Sequence, residues 1–350
     1  MSRFLKILKW LNIIWAILTL LSYLAPYINP QSIWQFSFFG LAYPSLLLGN
    51  VIFLIIWAFA RKRLFLLSLF CIIFGFNSFK NFVGIHPFSN LTLKENTLSV
   101  MSFNIHQLKD LDVTKEIPQR EFAYQKTRDF IDAQKVDVIA LQELSYKNLE
   151  KIQSKLAFPY VFQIPNNNNN YIFSKYPIVN SGGKNFSKSG NSFIWADINS
   201  PNGIFRMVNL HLQSNHVSPQ TDRVLSDRFQ KEFNWKNVKD ILSTIKRYTN
   251  ERVNQAIEVQ RFVQSCPHPV ILCGDFNDTP QSYIYHLLSE GFTDSFESGG
   301  WGLGSTYAGK IPGLKIDYVL YPEEFSILKS EVVKVDFSDH YPVVARLEWR

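Results

Sequence analysis

The first 94 residues are apolar and contain no acidic side chain, since Glu95 is the first acid. The run Phe36–Ala60 extends for 25 residues without a charge, more than the roughly 20 apolar residues that a membrane-spanning helix needs. The run Trp10–Ala25 reaches that length if the lysines before it extend to the lipid headgroups. A third run, Leu64–Phe79, is shorter. The sequence therefore predicts a membrane anchor of about three transmembrane helices within residues 1–90.

The alternative for the first run is a cleaved signal peptide. Two further apolar runs follow it, and no small-residue cleavage site stands out in the sequence. Both features favour a span.

The basic residues give the anchor an orientation. The chain has a formal charge of +7, and the seven basic side chains of residues 1–90 account for all of it. The remaining residues are neutral overall. The high pI of the chain therefore does not indicate a nucleic-acid-binding surface. The positive-inside rule places both Arg3–Lys9 and the Arg61–Arg63 loop in the cytoplasm. With three spans the C-terminal domain lies outside the cytoplasm, and with two it lies inside. We predict three spans, in an integral protein of the cell's inner or plasma membrane.

Residues 97–350 are predicted to form one globular domain, joined to the anchor by the short polar connector Phe88–Asn96. Alternating apolar segments predict strands at 98–105, 136–141, 160–163, 171–173, 193–198, 203–212, 270–273, 316–321, 327–335 and 342–349. Helices are predicted at 119–134, 147–155, 222–265 and 281–290. Many strands and few long helices predict an α+β fold, with two packed sheets and helices outside.

Six strand-like segments of this domain end on an acid, an amide or a histidine. They are Val100–Asn104, Asp137–Glu143, Phe205–His211, Val270–Asn277, Leu314–Asp317 and Phe337–His340. A strand interior cannot hold unpaired carboxylates cheaply, so recurring polar ends predict one shared site at the rim of a sheet. Carboxylates, amides and histidines in one place suit a hard divalent cation and hydrolytic chemistry.

The segment Gly274–Pro280 is the sharpest of these signals. Asp275 and Asn277 are two residues apart at a strand end, so both side chains are expected on the same side. A carboxylate and an amide aimed at one point would orient a water molecule and hold a phosphate oxygen. The alternative is a structural turn, in which Asp278 or Thr279 caps the next helix.

Most of the other strand ends allow two interpretations. Ser338–His340 contains a histidine suited to acid–base chemistry, or it is a surface Asp–His pair. Glu143 is either a metal ligand or a salt-bridge partner, and His211 is either a catalytic or a structural histidine. Asp317 lies in an apolar run and needs a partner, for which a buried histidine would suit.

Together, and in this order, the six segments resemble the endonuclease/exonuclease/phosphatase superfamily over about residues 97–350. Its members include pancreatic-type deoxyribonucleases, apurinic endonucleases, inositol polyphosphate phosphatases and bacterial sphingomyelinases. The resemblance implies a four-layered α/β/β/α sandwich and hydrolysis of phosphate esters with Mg²⁺ or Mn²⁺.

The resemblance also implies a metal side of the site. Asn104 matches an asparagine near the phosphate and the metal, and Glu143 looks like the principal metal ligand. Asp339 is similar to a second metal-side carboxylate that is hydrogen-bonded to His340.

The same resemblance implies the catalytic side. His211 matches a histidine that contacts the phosphate and assists the leaving group. Asp275 looks like the residue that orients the attacking water, and Asn277 like its phosphate-binding companion. Asp317 resembles the aspartate that pairs with a site histidine, and His340 looks like the acid–base histidine.

One departure leaves the substrate open. Several nucleases of the superfamily have an acid or a tyrosine in the region where this chain has the asparagine run Asn166–Asn170. Tyr171 is the one candidate there, and a core tyrosine is the simpler interpretation. The run itself is either a phosphate-binding element or a loop.

The sequence therefore predicts a membrane-anchored, metal-dependent phosphoesterase that acts on a nucleic acid, a phospholipid headgroup or a small phosphate ester. A catalytically silent, membrane-tethered adaptor that keeps the fold is the alternative. A transport role is disfavoured because the spans hold no internal acid or base. A basic cluster in the predicted helix 222–265, from Lys236 to Arg252, is either a local patch or a solvated helix face. The oligomeric state is left open.

Overall fold

A computed structural model describes residues 3–87, 94–111, 117–153, 156–165, 169–187, 190–214, 235–309 and 313–350. The helices are α1 (Arg3–Ser22), α2 (Phe36–Phe59), α3 (Phe65–Phe74), α4 (Phe76–Lys80), α5 (Ile117–Ala133), α6 (Tyr146–Gln153), α7 (Trp235–Gln264), α8 (Tyr283–Leu288) and α9 (Ser295–Gly299). The strands are β1 (Val83–Ile85), β2 (Thr97–Asn104), β3 (Val138–Gln142), β4 (Tyr160–Phe162), β5 (Tyr171–Ser174), β6 (Ile178–Asn185), β7 (Ser192–Ser200), β8 (Gly203–His211), β9 (Val270–Asp275), β10 (Thr293–Asp294), β11 (Trp301–Leu303), β12 (Asp317–Tyr321), β13 (Phe325–Val332) and β14 (Val343–Trp349).

The three N-terminal helices pack side by side. Within the described residues, α1 and α2 are long and apolar enough to cross a membrane, whereas the third predicted run forms the shorter α3 and then α4. Buried polar pairs connect these helices: Asn12 Nδ2 donates to Ser68 Oγ at 2.9 Å, and Asn50 Nδ2 donates to Thr19 Oγ1 at 2.7 Å. Such pairs supply directional contacts between helices that are otherwise mostly apolar.

Two six-stranded sheets form the body of the domain. The first has the order β13-β14-β2-β3-β5-β4, and the second has the order β10-β12-β9-β8-β7-β6. Their facing sides share one core, to which Val100 and Ala140 contribute from the first sheet and Ile194 and Met207 from the second. This arrangement confirms the prediction of an α+β fold with two packed sheets.

Helices cover the outer faces of both sheets. Ile131 of α5 and Leu149 of α6 pack against the first sheet. Val253 of α7 and Ile284 of α8 pack against the second sheet. The predicted helix 222–265 corresponds to α7 from Trp235 onward, and residues 222–234 lie outside the described ranges.

The helices α1–α4, with the residues up to Phe82, form a helical module. The sequence did not predict that this module joins the domain through a small sheet. Strand β1 pairs antiparallel with β11, so that Val83 lies opposite Leu303. The predicted boundary near residue 90 is therefore crossed by backbone hydrogen bonds. The connector prediction falls partly on residues 88–93, which lie outside the described ranges.

A buried amide network links the two sheets next to their common core. Asn209 of β8 donates to the backbone oxygens of Leu141 and Tyr171, at 2.9 Å each. Its Oδ1 atom accepts a 2.7 Å hydrogen bond from Gln142 Nε2 of β3. Both amide side chains are fully buried, so these bonds fix the position of one sheet relative to the other.

Replacing Asn209 with alanine should destabilise the domain, because it leaves buried backbone and side-chain groups without their partner. We expect a loss of about 2–3 kcal/mol, which lowers the midpoint of thermal unfolding of the full-length protein in detergent by roughly 5–10 °C. Asn199→Ala, at an exposed position of β7, is the control and should leave the midpoint within about 1 °C. Equal midpoints for the two variants would contradict a structural role for the network.

Candidate active site

The ends of five strands meet at one edge of the sandwich. In the first sheet the parallel strands β2 and β3 end together, since Asn104 lies opposite Gln142 and Glu143 follows directly. In the second sheet Asp275, the last residue of β9, lies opposite His211 of β8 on one side and opposite Asp317 of β12 on the other. The carboxyl ends of parallel strands lie at the same edge, which is why the polar ends converge.

Asn104 connects the two sheets at this edge. Its Nδ2 atom donates to Glu143 Oε1 at 3.2 Å and to Asp275 Oδ2 at 3.0 Å. Its Oδ1 atom accepts from the backbone N–H of His106 at 3.0 Å, and its carbonyl accepts from Ser338 Oγ at 2.8 Å. One side chain thus holds the carboxylates of both sheets at a fixed separation.

His340 forms a buried pair with Asp317. Its Nδ1 atom lies 2.9 Å from Asp317 Oδ2, and its Nε2 atom lies 3.8 Å from Asp275 Oδ2. The prediction of a hydrogen bond between Asp339 and His340 is wrong, because Nε2 of His340 lies 4.0 Å from Asp339 Oδ1. The ring turns its Nδ1 atom toward the second sheet, and Tyr307 packs at the ring with centroids 5.3 Å apart.

His211 faces two carboxylates from the end of β8. Its Nε2 atom lies 3.7 Å from Glu143 Oε1 and 3.8 Å from Asp275 Oδ2. Its Nδ1 atom is buried and has no hydrogen-bond partner among the described residues. This geometry does not fit a structural histidine whose two ring nitrogens are both satisfied.

Asn277 belongs to the site through its loop. Its backbone N–H donates to Asp275 Oδ1 at 2.8 Å, and its Nδ2 atom donates to the carbonyl of Leu212 at 3.0 Å. Asn277 and Glu143 both have left-handed backbone angles, with φ of 52° and 55°. Asparagine tolerates this region well, whereas glutamate does so at a cost, which is typical of residues held in place at functional sites.

Sequence reasoning missed His106. Its Nδ1 atom lies 3.1 Å from Asp339 Oδ1, and its side chain is about a quarter exposed. It follows the end of β2 by two residues, in a segment where His106, Gln107 and Leu108 all have positive φ. A search that continued past each predicted strand end would have found His106, but not Tyr307, which follows no predicted strand.

All eight predicted site residues therefore lie in one connected cluster, with His106 added to them. The predicted residues are Asn104, Glu143, His211, Asp275, Asn277, Asp317, Asp339 and His340. The cluster holds four carboxylates and three imidazoles.

The pKa values of Glu143 and Asp275 are shifted in opposite directions. Burial disfavours the ionised form of Glu143, but His211, the hydrogen bond from Asn104 and the two other imidazoles together hold its pKa below the usual range. Burial raises the pKa of Asp275, and the neighbouring charge of Asp317 raises it further. Glu143 is therefore ionised more readily than Asp275.

The same charges act on His340. Burial alone would lower the pKa of His340, but the carboxylates of Asp317 and Asp275, with the hydrogen bond to Asp317, raise it to about 10. The imidazole is therefore protonated near neutral pH.

The donor set fits a hard divalent cation. Carboxylate oxygens of Asp275 and Asp317 lie within 4.8 Å of each other and of a ring nitrogen of His340, although the protonated ring itself does not coordinate a cation. The buried Oδ1 atom of Asp317 has no hydrogen-bond partner among the described residues. Several carboxylates crowded at a sheet edge, one of them with a raised pKa, make an environment that a cation would stabilise.

Three alternatives raised by the sequence can be placed. Tyr171 is fully buried in the core behind the first sheet. Asn170, at the end of the asparagine run, is buried and donates to Ser192, and residues 166–168 lie outside the described ranges. Arg252 is not part of a surface patch, because it is buried with its Nε atom 3.4 Å from Asp278 Oδ2.

Comparison with known proteins identifies two matching families. Residues 101–340 match the Endonuclease/Exonuclease/phosphatase family, and residues 5–82 match a domain of unknown function, DUF8431. No curated protein matches the chain.

Several solved structures share the fold. An endonuclease/exonuclease/phosphatase family protein from Bacteroides thetaiotaomicron superposes with a TM-score of 0.55 at 18% identity, covering 74% of this chain and 100% of that one. A mannosyl-6-phosphatase from B. thetaiotaomicron VPI-5482 gives 0.51 at 19%, covering 72% and 100%. D. rerio TDP2 in complex with a single-strand DNA product gives 0.52 at 15%, covering 73% and 100%. At these identities the likeness shows the fold alone.

The His340–Asp317 pair should make stability depend on pH in protein freed of metal by a chelator. Because folding raises the pKa of His340 from 6.5 to about 10, its contribution is fully present below about pH 6.5 and is lost as the pH rises through about 10. We therefore expect the Asp317→Asn variant to unfold at a lower temperature than wild type at about pH 7, and the difference to shrink toward about pH 10.5. A difference in midpoint that stays constant over this range would contradict the charged pair.

Proposed function

We propose that this chain, which belongs to the Endonuclease/Exonuclease/phosphatase family, is a membrane-anchored, divalent-metal-dependent phosphoesterase that hydrolyses a phosphodiester by in-line attack of water. The proposal rests on one observation above all. Acids and imidazoles from both sheets of the four-layered sandwich converge on a single point, where Asn104 bonds to Glu143 and Asp275.

Glu143 would hold Mg²⁺ or Mn²⁺, with Asn104 and Asp339 on the same side. The pKa of Glu143 is held below its usual range by the neighbouring imidazoles and Asn104, and a hydrated magnesium ion needs only one or two carboxylates. Side chains of Glu143 and Asp339 are 18% and 30% exposed, which leaves room for water, whereas that of Asp275 is 2% exposed. When bound, the ion neutralises the charge that develops on the phosphate in the transition state.

His340, Asp275 and His211 have different proposed roles at the phosphate and the attacking water. His340 directs its Nε2 atom toward Asp275, where it would donate a hydrogen bond to the phosphate, and Asp317 holds its ring in place. Asp275 is the buried carboxylate that orients the attacking water and takes up the proton that this water loses, and its raised pKa suits that role. His211 stands beside Glu143 and Asp275, where it would assist the leaving group. Each acid–base group of this kind typically contributes about 10²–10⁴-fold to the rate.

The docking of the domain supports an extracytoplasmic location. The domain contacts Ser22 at the C-terminal end of α1 and Gly40 near the N-terminal end of α2. The basic clusters Arg3–Lys9 and Arg61–Arg63 lie at the opposite ends of these helices. Because the positive-inside rule assigns the basic ends to the cytoplasm, the domain belongs on the other side, with α3 and α4 as the third pass.

The substrate is proposed as a class, a phosphodiester or related phosphate ester. Two structural neighbours illustrate the range of the fold, since one is a mannosyl-6-phosphatase and another was solved with a single-strand DNA product. The burial of Arg252 weakens the case for a basic nucleic-acid surface on α7. Anchoring in the membrane adds a phospholipid headgroup to the substrates that need testing.

Full-length protein in detergent should cleave one of four substrate classes in Mg²⁺ or Mn²⁺: plasmid DNA, RNA, sphingomyelin or inositol phosphates. Asp275→Ala should lower the rate by about 10²–10⁴-fold, because no carboxylate is left to orient the water. Asp132→Ala, an exposed acid of α5, is the matched control and should keep the wild-type rate. If no ester is cleaved in either metal, the silent adaptor is the correct interpretation.

Metal binding should be detectable without turnover. Mg²⁺ or Mn²⁺ should raise the midpoint of thermal unfolding of the wild type, since a ligand that binds the folded state stabilises it. Glu143→Gln should lose most of this increase, because the amide carries no charge for the cation. Glu150→Gln, an exposed glutamate of α6, should retain it. Equal metal-induced shifts in the three proteins would show that Glu143 is not a ligand.

A further inference from the structure

The loop that follows the proposed catalytic residues is buried against the N-terminal helices. Directly after Asn277, residues Asp278–Gln281 lead to α8, and the side chains of Thr279 and Gln281 are essentially inaccessible to solvent. Thr279 Oγ1 donates to the carbonyl of Gly40 at 3.3 Å. Gln281 Nε2 donates to the carbonyl of Ser22 at 3.0 Å.

Both acceptors are carbonyls that the helices do not satisfy by themselves. In an α-helix the carbonyl of Gly40 would accept from the N–H of residue 44, but residue 44 is Pro44 and has no N–H. Ser22 is the last residue of α1, where carbonyls have no partner within the helix. The loop side chains therefore supply the two missing donors.

Gly40 is required for this approach. A Cβ atom at position 40 would overlap the carbonyl oxygen of Gln281 and touch the side chain of Ala25. The backbone of α2 thus lies directly against the backbone of the loop, and any larger residue would push the two apart.

The other side of the loop is also fixed. The carbonyl of Asp278 accepts from Tyr318 Oη at 2.9 Å, and its carboxylate faces the buried Arg252. Ser282 caps the next helix by accepting from the N–H of Tyr285. The loop is held between the helical module and the second sheet, and Thr279 lies only two residues after Asn277 in this loop.

A second strand end has the same support. Lys315, two residues before Asp317, is buried, and its Nζ atom donates to the carbonyl of Asn81 at 3.0 Å and to Asp294 Oδ2 at 2.6 Å. The backbone N–H of Gly304 donates to the carbonyl of Phe82 at 2.9 Å. The helical module therefore contacts the polypeptide on both the Asp275 side and the Asp317 side of the cluster.

We propose that the N-terminal helices are a positioning element of the active site as well as an anchor, and that Thr279 and Gln281 are the positioning residues through which they hold the catalytic loop. This inference rests on the proposed function. It predicts that small changes at the helix–loop contact lower kcat while metal binding, which depends on Glu143 of the other sheet, is unaffected.

The test uses full-length protein in lipid nanodiscs, with Mn²⁺ and bis(p-nitrophenyl) phosphate as the probe substrate. Gly40→Ala should lower kcat by about 10-fold to 100-fold, since displacements near 1 Å at a reacting centre cost this much. Thr279→Val, which keeps the shape but removes the donor, should lower kcat by roughly 3-fold to 10-fold, and Thr279→Ser should restore it. In each variant the increase in unfolding temperature caused by Mn²⁺ should match that of the wild type.

Two further variants separate positioning from general stability. Pro44→Ala gives the carbonyl of Gly40 its N–H partner within α2 and releases Thr279, so kcat should fall although the helix itself is strengthened. Gly49→Ala perturbs the packing of α2 on Trp15 inside the helical module, away from the loop, and should leave kcat unchanged even if the unfolding temperature falls.

The outcomes are distinguishable. A wild-type protein that cleaves neither the probe nor any of the four substrate classes named above overturns the proposed function and this inference with it. If the wild type is active and the variants Gly40→Ala, Thr279→Val and Pro44→Ala all keep its kcat, the helices serve only as an anchor. The same conclusion holds if kcat simply follows the unfolding temperature, with Gly49→Ala as impaired as Gly40→Ala.

Discussion

The hydrogen bond between two buried amides, Gln142 and Asn209, determines how the sheets of the sandwich are placed. The apolar core between the sheets is non-directional, so by itself it would tolerate small sliding movements. Asn209 also donates to the backbone carbonyls of two neighbouring strands. Because hydrogen bonds are directional, this set of bonds opposes such sliding. Glu143 follows Gln142 directly, and His211 lies two residues beyond Asn209. The contact that aligns the core therefore also sets the 3.7 Å separation between His211 and Glu143.

The cluster at the sheet edge is costly for the folded protein. Asp275 is buried beside a second carboxylate, which raises its pKa, and Glu143 adopts a left-handed backbone conformation that glutamate disfavours. Neither feature benefits packing. Local preferences are violated in this way where a site requires it, and the surrounding core supplies the stability that offsets the cost. Asn104 donates to Glu143 of the first sheet and to Asp275 of the second. These hydrogen bonds stabilise the two buried carboxylates, which explains why an amide lies between them.

Much of the site could be predicted from the sequence because its residues lie at the ends of buried strands. A buried strand that stops at a polar residue is visible as a pattern, and parallel neighbours end at the same edge, so Asn104, Glu143, His211 and Asp275 were predicted to meet. Side-chain orientation was not accessible, since adjacency of Asp339 and His340 in the chain suggested a bond that the ring makes with Asp317 instead. Strand β6 gave no periodic signal because it is a mostly exposed edge strand with two glycines. The pairing of β1 with β11 joins segments too short and too distant in sequence for any pattern to reveal.

The contact between the helices and the loop also has a consequence for biogenesis. The helices are synthesised first, and the carbonyls of Ser22 and Gly40 take up their final positions only when α1 and α2 have packed together. The C-terminal domain then completes its folding against a surface that already exists. A chain in which α1 and α2 fail to pack lacks that surface, so assembly of the helices and folding of the loop after Asn277 are coupled within a single polypeptide.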